Sequence, residues 1–283
     1  MRRALSAVGV VVLVMALTAE LGTAALVRRS TAHRVWNDDR VLTVLVLGSD
    51  MGPPSRPGNP LRGRADAIHL VAVDTRRERA TIVDIPRDSY IAGDKVNGHM
   101  ASGGPQRITK VIEDYSGLHV DHWVVTSFKG LRGVVNALGG VPVDLPGPMN
   151  DAGSGAVFKA GKQRFDGKQA LAFSRNRYDL PNGDFGRTRN QGRLLRAIHK
   201  EVRRRRSDLP SLTRLAAAFS RNTESNIPPR ELLPLASLAV RIKPRHVKQV
   251  SLSGGIGTAG GASIVNLNPA DAFRDIKRRK IGR

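Results

Sequence analysis

The sequence predicts a single layered α/β/α domain, with a central mixed β-sheet flanked by helices, preceded by an N-terminal transmembrane helix. Three observations predict it. Short β-branched apolar runs alternate with segments of helical apolar spacing, the pattern of a layered α/β domain. No internal repeat and no long break divides the chain after residue 41. An apolar stretch of spanning length stands at the N-terminus.

That N-terminal stretch comes first. Arg2 and Arg3 precede residues 4–19, which carry no charge; Glu20 interrupts, residues 21–27 resume, and Arg28 and Arg29 close the run. A spanning helix needs about 20 mostly apolar residues, whereas a cleaved signal has an apolar region of about 7–15. Residues 4–27 therefore fit an uncleaved anchor better, although Thr23-Ala24-Ala25 offers a peptidase site. The run has no polar face, which argues against a buried soluble helix. With two arginines on each side, the positive-inside rule barely discriminates between orientations. The expected division is residues 1–29 as cytoplasmic stub and anchor in the cell membrane, 30–40 as polar linker, and 41–283 as an extracytoplasmic domain.

Residues 41–47 (VLTVLVL) read as a buried strand ending at Gly48. The loop 51–64 is rich in Pro, Gly and Arg. Residues 67–73 and 80–85 are strands joined by the charged turn 74–79, hence a hairpin. Residues 105–116 place Ile108, Val111 and Ile112 on one helix face. Residues 123–126 form a short strand, 128–138 a helix stopped by Gly139-Gly140, and 141–145 another strand. Residues 168–174 are a short helix or turn. A long helix over 189–206 puts Leu194, Leu195, Ile198 and Val202 on one face. Helices at 212–219 and 229–240, a strand at 247–252, the glycine-rich stretch 254–261 and a helix at 269–276 complete the chain.

Composition narrows the chemistry. The formal net charge of +22 attracts polyanions, from nucleic acid to anionic lipid to pyrophosphates, without choosing among them. With no cysteine, disulfides, thiolate catalysis and cysteine-bound zinc are excluded. Aromatics are 4% of residues and no reader motif is evident, which speaks against base stacking and a nucleic-acid partner.

Five places carry candidate chemistry. Gly48-Ser49-Asp50 follows the first strand, where open α/β folds bind ligands; a turn with an Asp cap explains it equally well. Arg64 and Asp66 precede the second strand, and Asp50 and Asp66 flank one loop, as a hard cation with one or two carboxylates would need. Arg87, stiffened by Pro86, suits a fork on phosphate or a surface pair with Asp88. Arg175 and Arg177 face one way if extended, and Arg187 and Gln191 share a helix face; a solvated basic loop is the plain alternative. The run 203–206 reads as a solvated helix end that suits the helix dipole.

In order, these words are LGSD ending at Asp50, GRAD with Arg64 and Asp66, IPRDSY with Arg87, KVN ending at Asn97, VVNALGGV, FDGKQALAFSRNR with Arg175 and Arg177, and DFGRTRNQ with Arg187 and Gln191. The series resembles the LytR-CpsA-Psr family of cell-wall glycopolymer transferases from about residue 41 to about residue 200. The combination is specific; single words are not. The resemblance implies a membrane-anchored, magnesium-dependent (or manganese-dependent) phosphotransferase. It would move a phosphoglycan from a polyprenyl pyrophosphate carrier onto a peptidoglycan acceptor, and it leaves room for pyrophosphatase activity besides. It implies that Asp50 and Asp66 hold the metal and that Arg64, Arg87, Arg175, Arg177, Arg187 and Gln191 line the pyrophosphate site. Arg64, Asp66 and Arg87 would be catalytic, with Asp66 a candidate proton acceptor. The chain departs from the family at Met51-Gly52, where many members carry Ser-Arg, and at Asn190, where many carry arginine; Arg189 is displaced by one. Two other readings stand beside it: a non-catalytic envelope module that binds acidic polymer or lipid carrier, and a membrane-bound transcriptional regulator.

Overall fold

A computed structural model describes residues 41–50, 61–178, 180, 183–268 and 270–283. The expected anchor 1–29, the linker 30–40 and Met51 lie outside the described residues. Among the described residues no helix is long and apolar enough to cross a membrane.

A six-stranded mixed sheet forms the centre. In order across the sheet its strands are β11 (Thr223–Ser225), β6 (His122–Ser127), β1 (Val41–Ser49), β2 (Ala65–Asp74), β3 (Arg79–Asp84) and β12 (Val247–Ser251). β1, β2 and β3 run antiparallel in sequence, as the charged hairpin turn predicts. β6 joins β1 in parallel and β12 joins β3 in parallel.

The strands are apolar on both faces because helices cover both. Leu45, Leu47, Ile68, Leu70 and Val83 pack on one face. They meet Ile108 and Ile112 of α1 (Val96–Ser116) and Phe273 and Ile276 of α7 (Ala270–Lys277). The alternate residues Leu42, Val73, Ala80 and Ile82 face the other way. There they meet Leu195 of α4 (Gly183–Arg204) and Leu238 of α6 (Pro229–Arg241). A separate cluster joins α2 (Phe128–Ala137), α3 (Gly167–Arg175) and α4 over a small sheet of β7 (Val141–Leu145) and β10 (Gly161–Phe165), centred on Phe165 and Phe173. α5 (Leu209–Asn222) lies beside α2. Short strands β4 (Tyr90–Ile91) and β5 (Asp94–Lys95), and β8 (Met149–Asp151) and β9 (Ala156–Phe158), form two small hairpins.

Four local expectations change. α1 begins nine residues before the expected helix at 105–116, because two helical pieces join across a kink at Gly103 and Gly104, where Gly104 has φ of 70°. The glycines dilute the periodicity that the sequence shows from Pro105 onward. α4 begins at Gly183, six residues before the predicted start, with Asp184 in its first turn where the helix dipole favours a carboxylate. The glycine-rich stretch 254–261 belongs to a hairpin of β13 (Ser253–Ala259) and β14 (Ala262–Asn268). Its turn residues Gly260 and Gly261 have φ of 54° and 76°, as a two-residue primed turn requires. The end of α4 is not simply solvated: Arg205 Nε donates to Glu201 at 3.0 Å and Arg203 Nη1 to the Arg241 carbonyl at 3.1 Å.

Candidate active site

β1 and β6 end side by side, Ser49 opposite Ser127, and a cavity of about 260 Å³ opens beyond them. This is the carboxyl edge of parallel strands where open α/β sheets bind ligands. β6 passes directly into α2, whose cap Ser127 accepts from Gly130 N at 3.2 Å. The positive end of that helix therefore faces the cavity through Ser127 and Phe128.

The loop between β1 and β2 is closed at its base by paired hydrogen bonds. Asp50 N donates to the Arg64 carbonyl at 3.0 Å, Arg64 N donates to Asp50 Oδ1 at 2.7 Å, and Gly63 N donates to Ser49 Oγ at 3.1 Å. A register shift at Gly48/Ser49 accompanies this closure. It sets Asp50 near Asp66, the second residue of β2. Burial and the neighbouring Asp66 charge raise the Asp50 pKa above the ordinary carboxylate value.

Arg87 follows β3 on the stiff Ile85-Pro86 segment and donates through Nη1 to Asp66 Oδ1. Burial opposes its charge, but Asp66 beside it outweighs burial and raises its pKa. α3 ends at Arg175, whose guanidinium lies 5.5 Å from the Phe128 ring centroid. Two residues on, Arg177 N donates to Asp151 Oδ2 at 3.2 Å. Arg187 and Gln191 lie one turn apart on α4. Gln191 Nε2 bridges the Asp66 carbonyl at 3.1 Å and the Ser174 carbonyl at 3.0 Å, tying α4 to β2 and α3.

Arg187 is buried and bonded to Asp184. Burial depresses its pKa; Asp184 opposes that depression, and the Arg87 charge adds to it. The Nε atoms of Arg87 and Arg187 and Oε1 of Gln191 are buried without a hydrogen-bond partner among the described residues. Buried polar atoms are normally satisfied, so three orphans at one cavity mark a place built for a ligand.

Of the residues the sequence singles out, Asp66, Arg87, Arg175, Arg177, Arg187 and Gln191 line this one cavity. Asp50 and Arg64 do not line it; they stand beside it in the loop closure, and the Arg64 residue is exposed. Asn190 is buried with Nδ2 unpartnered among the described residues, while Arg189 is exposed, so the displaced arginine does not replace the missing one on the cavity wall.

The counter-charges are only partly set out by the sequence motifs. Asp184 pairs with Arg187, and Asp88 stands 3.9 Å from Arg87, 3.4 Å from Lys95 and 4.0 Å from Arg177. Asp88 is legible in the sequence as the neighbour of Arg87, and Asp184 as the helical i−3 partner of Arg187; Asp151 requires the fold. The motifs also leave out the apolar walls contributed by Leu131, Leu194, Leu195 and Ile198, and His69. Among the described residues no group of three or more His, Cys, Asp or Glu side chains forms a ready metal cage.

The geometry has relatives. The chain is 32% identical over 235 residues, 81% of this chain and 75% of the other, to the polyisoprenyl-teichoic acid–peptidoglycan teichoic acid transferase TagU of Enterococcus faecalis. The solved structure of protein gbs0355 from Streptococcus agalactiae superposes with a TM-score of 0.71 at 26% identity, covering 85% of this chain and 86% of that one. TagT bound to LIIa-WTA superposes with a TM-score of 0.67 at 25% identity, covering 86% of this chain and 90% of that one. The LytR_cpsA_psr family model matches residues 14–279, and the chain belongs to that family.

Proposed function

We propose that this chain is a phosphotransferase of the cell envelope that moves a phosphoglycan from a polyprenyl pyrophosphate carrier onto peptidoglycan. One observation carries the reading: a single cavity holds four arginines, two of them (Arg87 and Arg187) with buried Nε atoms unpartnered among the described residues, and an apolar wall. A diphosphate asks for fixed guanidinium forks. A polyprenyl chain asks for apolar cover, here Leu131, Leu194, Leu195 and Ile198. The relatives named as teichoic acid transferases support the same substrate class. In this reading the domain works outside the membrane, on an anchor formed by residues 1–29.

The acceptor hydroxyl attacks the phosphorus that bears the glycan. The bond from that phosphorus to the bridging oxygen breaks, and polyprenyl phosphate departs with the electron pair. Arg87, Arg175, Arg177 and Arg187 hold the oxygens on which charge grows. Water in place of the sugar would give pyrophosphate hydrolysis.

The site's own charges suit a divalent cation, magnesium or manganese. Arg64, Arg87, Arg175, Arg177, Arg187 and Lys95 face Asp50, Asp66, Asp88, Asp151 and Asp184, so the set alone has a surplus of one positive charge for a diphosphate. Burial and the Asp66 charge raise the Asp50 pKa despite the nearby Arg64 and Arg87, so a further positive charge there would be favoured. Asp50 and Asp66 would hold the cation, and magnesium characteristically takes one or two carboxylates with substrate oxygens. The metal would neutralise charge on the diphosphate.

The test is product analysis with full-length protein, a polyprenyl pyrophosphate glycan and peptidoglycan oligomers. Phosphodiester-linked product and polyprenyl phosphate are expected with magnesium and not with chelator. Arg87→Ala and Arg175→Ala should lose transfer while keeping the fold. Tight binding of the carrier with no product under any condition would overturn catalysis in favour of a binding module.

A further inference from the structure

We propose that His69, oriented by Asp84, is the group that takes the proton from the acceptor hydroxyl; the proposal rests on the transferase reading above. His69 on β2 stands directly across from Asp84 on β3. Its Nδ1 lies 2.9 Å from Asp84 Oδ1. The other carboxylate oxygen of Asp84 accepts from Gln249 Nε2 at 2.6 Å and from Ser251 Oγ at 2.8 Å, both on β12. Above the carboxylate runs the α4 backbone: a Cβ on Gly192 would stand 2.2 Å from Asp84 Oδ1. Asp84 is thus wholly buried and held from two strands, and its one ion-pair partner among the described residues is His69.

A carboxylate locked in that position selects the tautomer with the proton on Nδ1 and leaves a lone pair on Nε2. That assignment follows from the hydrogen-bond network. His69 Nε2 is buried and has no hydrogen-bond partner among the described residues. The His69 side chain also belongs to the wall of the cavity that holds Asp66, Arg87, Arg187 and Gln191. Among the described residues His122 and His199 also leave one ring nitrogen without a hydrogen-bond partner, but only His69 of the three lines the cavity. An orienting acid, an imidazole and a free nitrogen at a phosphate-binding cavity make up the arrangement of a general base.

Asp66 is less suited to that task. Its Oδ1 is already bonded to the Arg87 guanidinium, so that oxygen is not open to a substrate hydroxyl. In the step, the hydroxyl oxygen bonds to the glycan-bearing phosphorus and its proton passes to His69 Nε2. The bond from that phosphorus to the bridging oxygen breaks, and polyprenyl phosphate leaves with the electron pair. The imidazolium faces the Asp84 carboxylate until the proton passes to the released phosphate. His69 is the catalytic residue; Asp84 is a positioning residue that sets its tautomer.

The experiment uses full-length protein with magnesium and measures kcat for transfer together with Kd for a polyprenyl pyrophosphate. His69→Gln is expected to lower kcat about 10²–10⁴-fold, the usual share of a general base, with Kd unchanged. Asp84→Asn keeps the shape and reverses the tautomer, and is expected to lower kcat about 10⁴-fold, as in catalytic triads. His69→Gly is expected to regain turnover with added imidazole, which a packing role does not predict. An active wild type whose His69→Gln or Asp84→Asn variant keeps its kcat overturns the proposal and leaves the transferase reading standing. A soluble, carrier-binding wild type with no transfer overturns that reading and this proposal together.

Discussion

The two ends of α4 treat arginine in opposite ways. Near its C-terminus the buried Glu201 accepts from Arg164 at 2.8 Å, from Arg204 at 2.6 Å and from Arg205 at 3.0 Å. Burial pushes its pKa up, but the bonds from Arg204, Arg164 and Arg205 overcome this and hold it at about 2. The surplus positive charge there ends in water, with the Arg164 and Arg204 side chains 44% and 59% exposed. Near its N-terminus Arg187 is only 7% exposed, shares its neighbourhood with Arg87 and Arg177, and keeps a buried Nε without a hydrogen-bond partner among the described residues. Guanidiniums around one carboxylate make a staple when every donor is satisfied or wet. They make a binding site when a donor is buried and left open.

The largest effect that sharpens this contrast is on turnover. Arg187→Lys keeps the charge opposite Asp184, so the fold should hold, but it loses the planar fork. Transfer should fall about 10²–10³-fold, comparable to losing one oxyanion donor, with the melting temperature nearly unchanged. A lysine variant with wild-type turnover would place the open Nε outside the reaction.

The second effect lies at the other end of the helix and falls on stability. Glu201→Gln gives up charge-assisted bonds worth about 1.5–3 kcal/mol when the acceptor is ionised. Transfer measured well below the melting point should stay near wild type. The pH dependence follows in sign. Glu201 titrates near 2 in the folded chain against an ordinary 4.5, so its stabilisation is complete above about pH 4.5 and is lost as pH falls toward 2. Denaturant midpoints of wild type and variant should therefore converge on acidification. Midpoints that stay equally far apart at every pH would remove the electrostatic account of this cluster.

The same contrast explains what the sequence reveals. The hairpin of β2 and β3 is legible because its apolar runs flank a charged turn, and the arginine words are legible because their order is distinctive. Their convergence on one cavity is legible only through the family resemblance, since Arg87 and Arg187 are far apart in the chain and meet because Gln191 ties α4 to β2. Glu201 is invisible as a staple because Arg164 reaches it from β10, which local spacing does not predict. The His69–Asp84 pair is within reach of sequence reasoning. A hairpin turned at residues 74–79 sets residue 69 opposite 84, yet a histidine inside an apolar strand reads as core. The hairpin of β13 and β14 escapes because glycine carries no strand signal.

The smallest effect concerns Asp50, and it asks whether the open end of α4 is completed by a cation. Asp50 titrates above its ordinary value through burial and the Asp66 charge, so its proton binds more tightly in the folded chain than in the unfolded one. Stability of the metal-free protein should therefore fall slightly as pH rises through that raised value. Asp50→Asn removes the charge while keeping an oxygen for the Arg64 amide, which now bonds Asp50 Oδ1 at 2.7 Å. The metal-free variant should melt no lower than wild type at neutral pH. Magnesium at about ten times its dissociation constant stabilises a folded protein by about 1.4 kcal/mol, or a few degrees for a domain of this size. That rise should appear in the wild type and vanish in Asp50→Asn, whereas Glu201→Gln, lower in its starting midpoint, should show the full rise. An equal magnesium shift in Asp50→Asn would move the cation away from Asp50 and leave the arginines to meet the diphosphate without it.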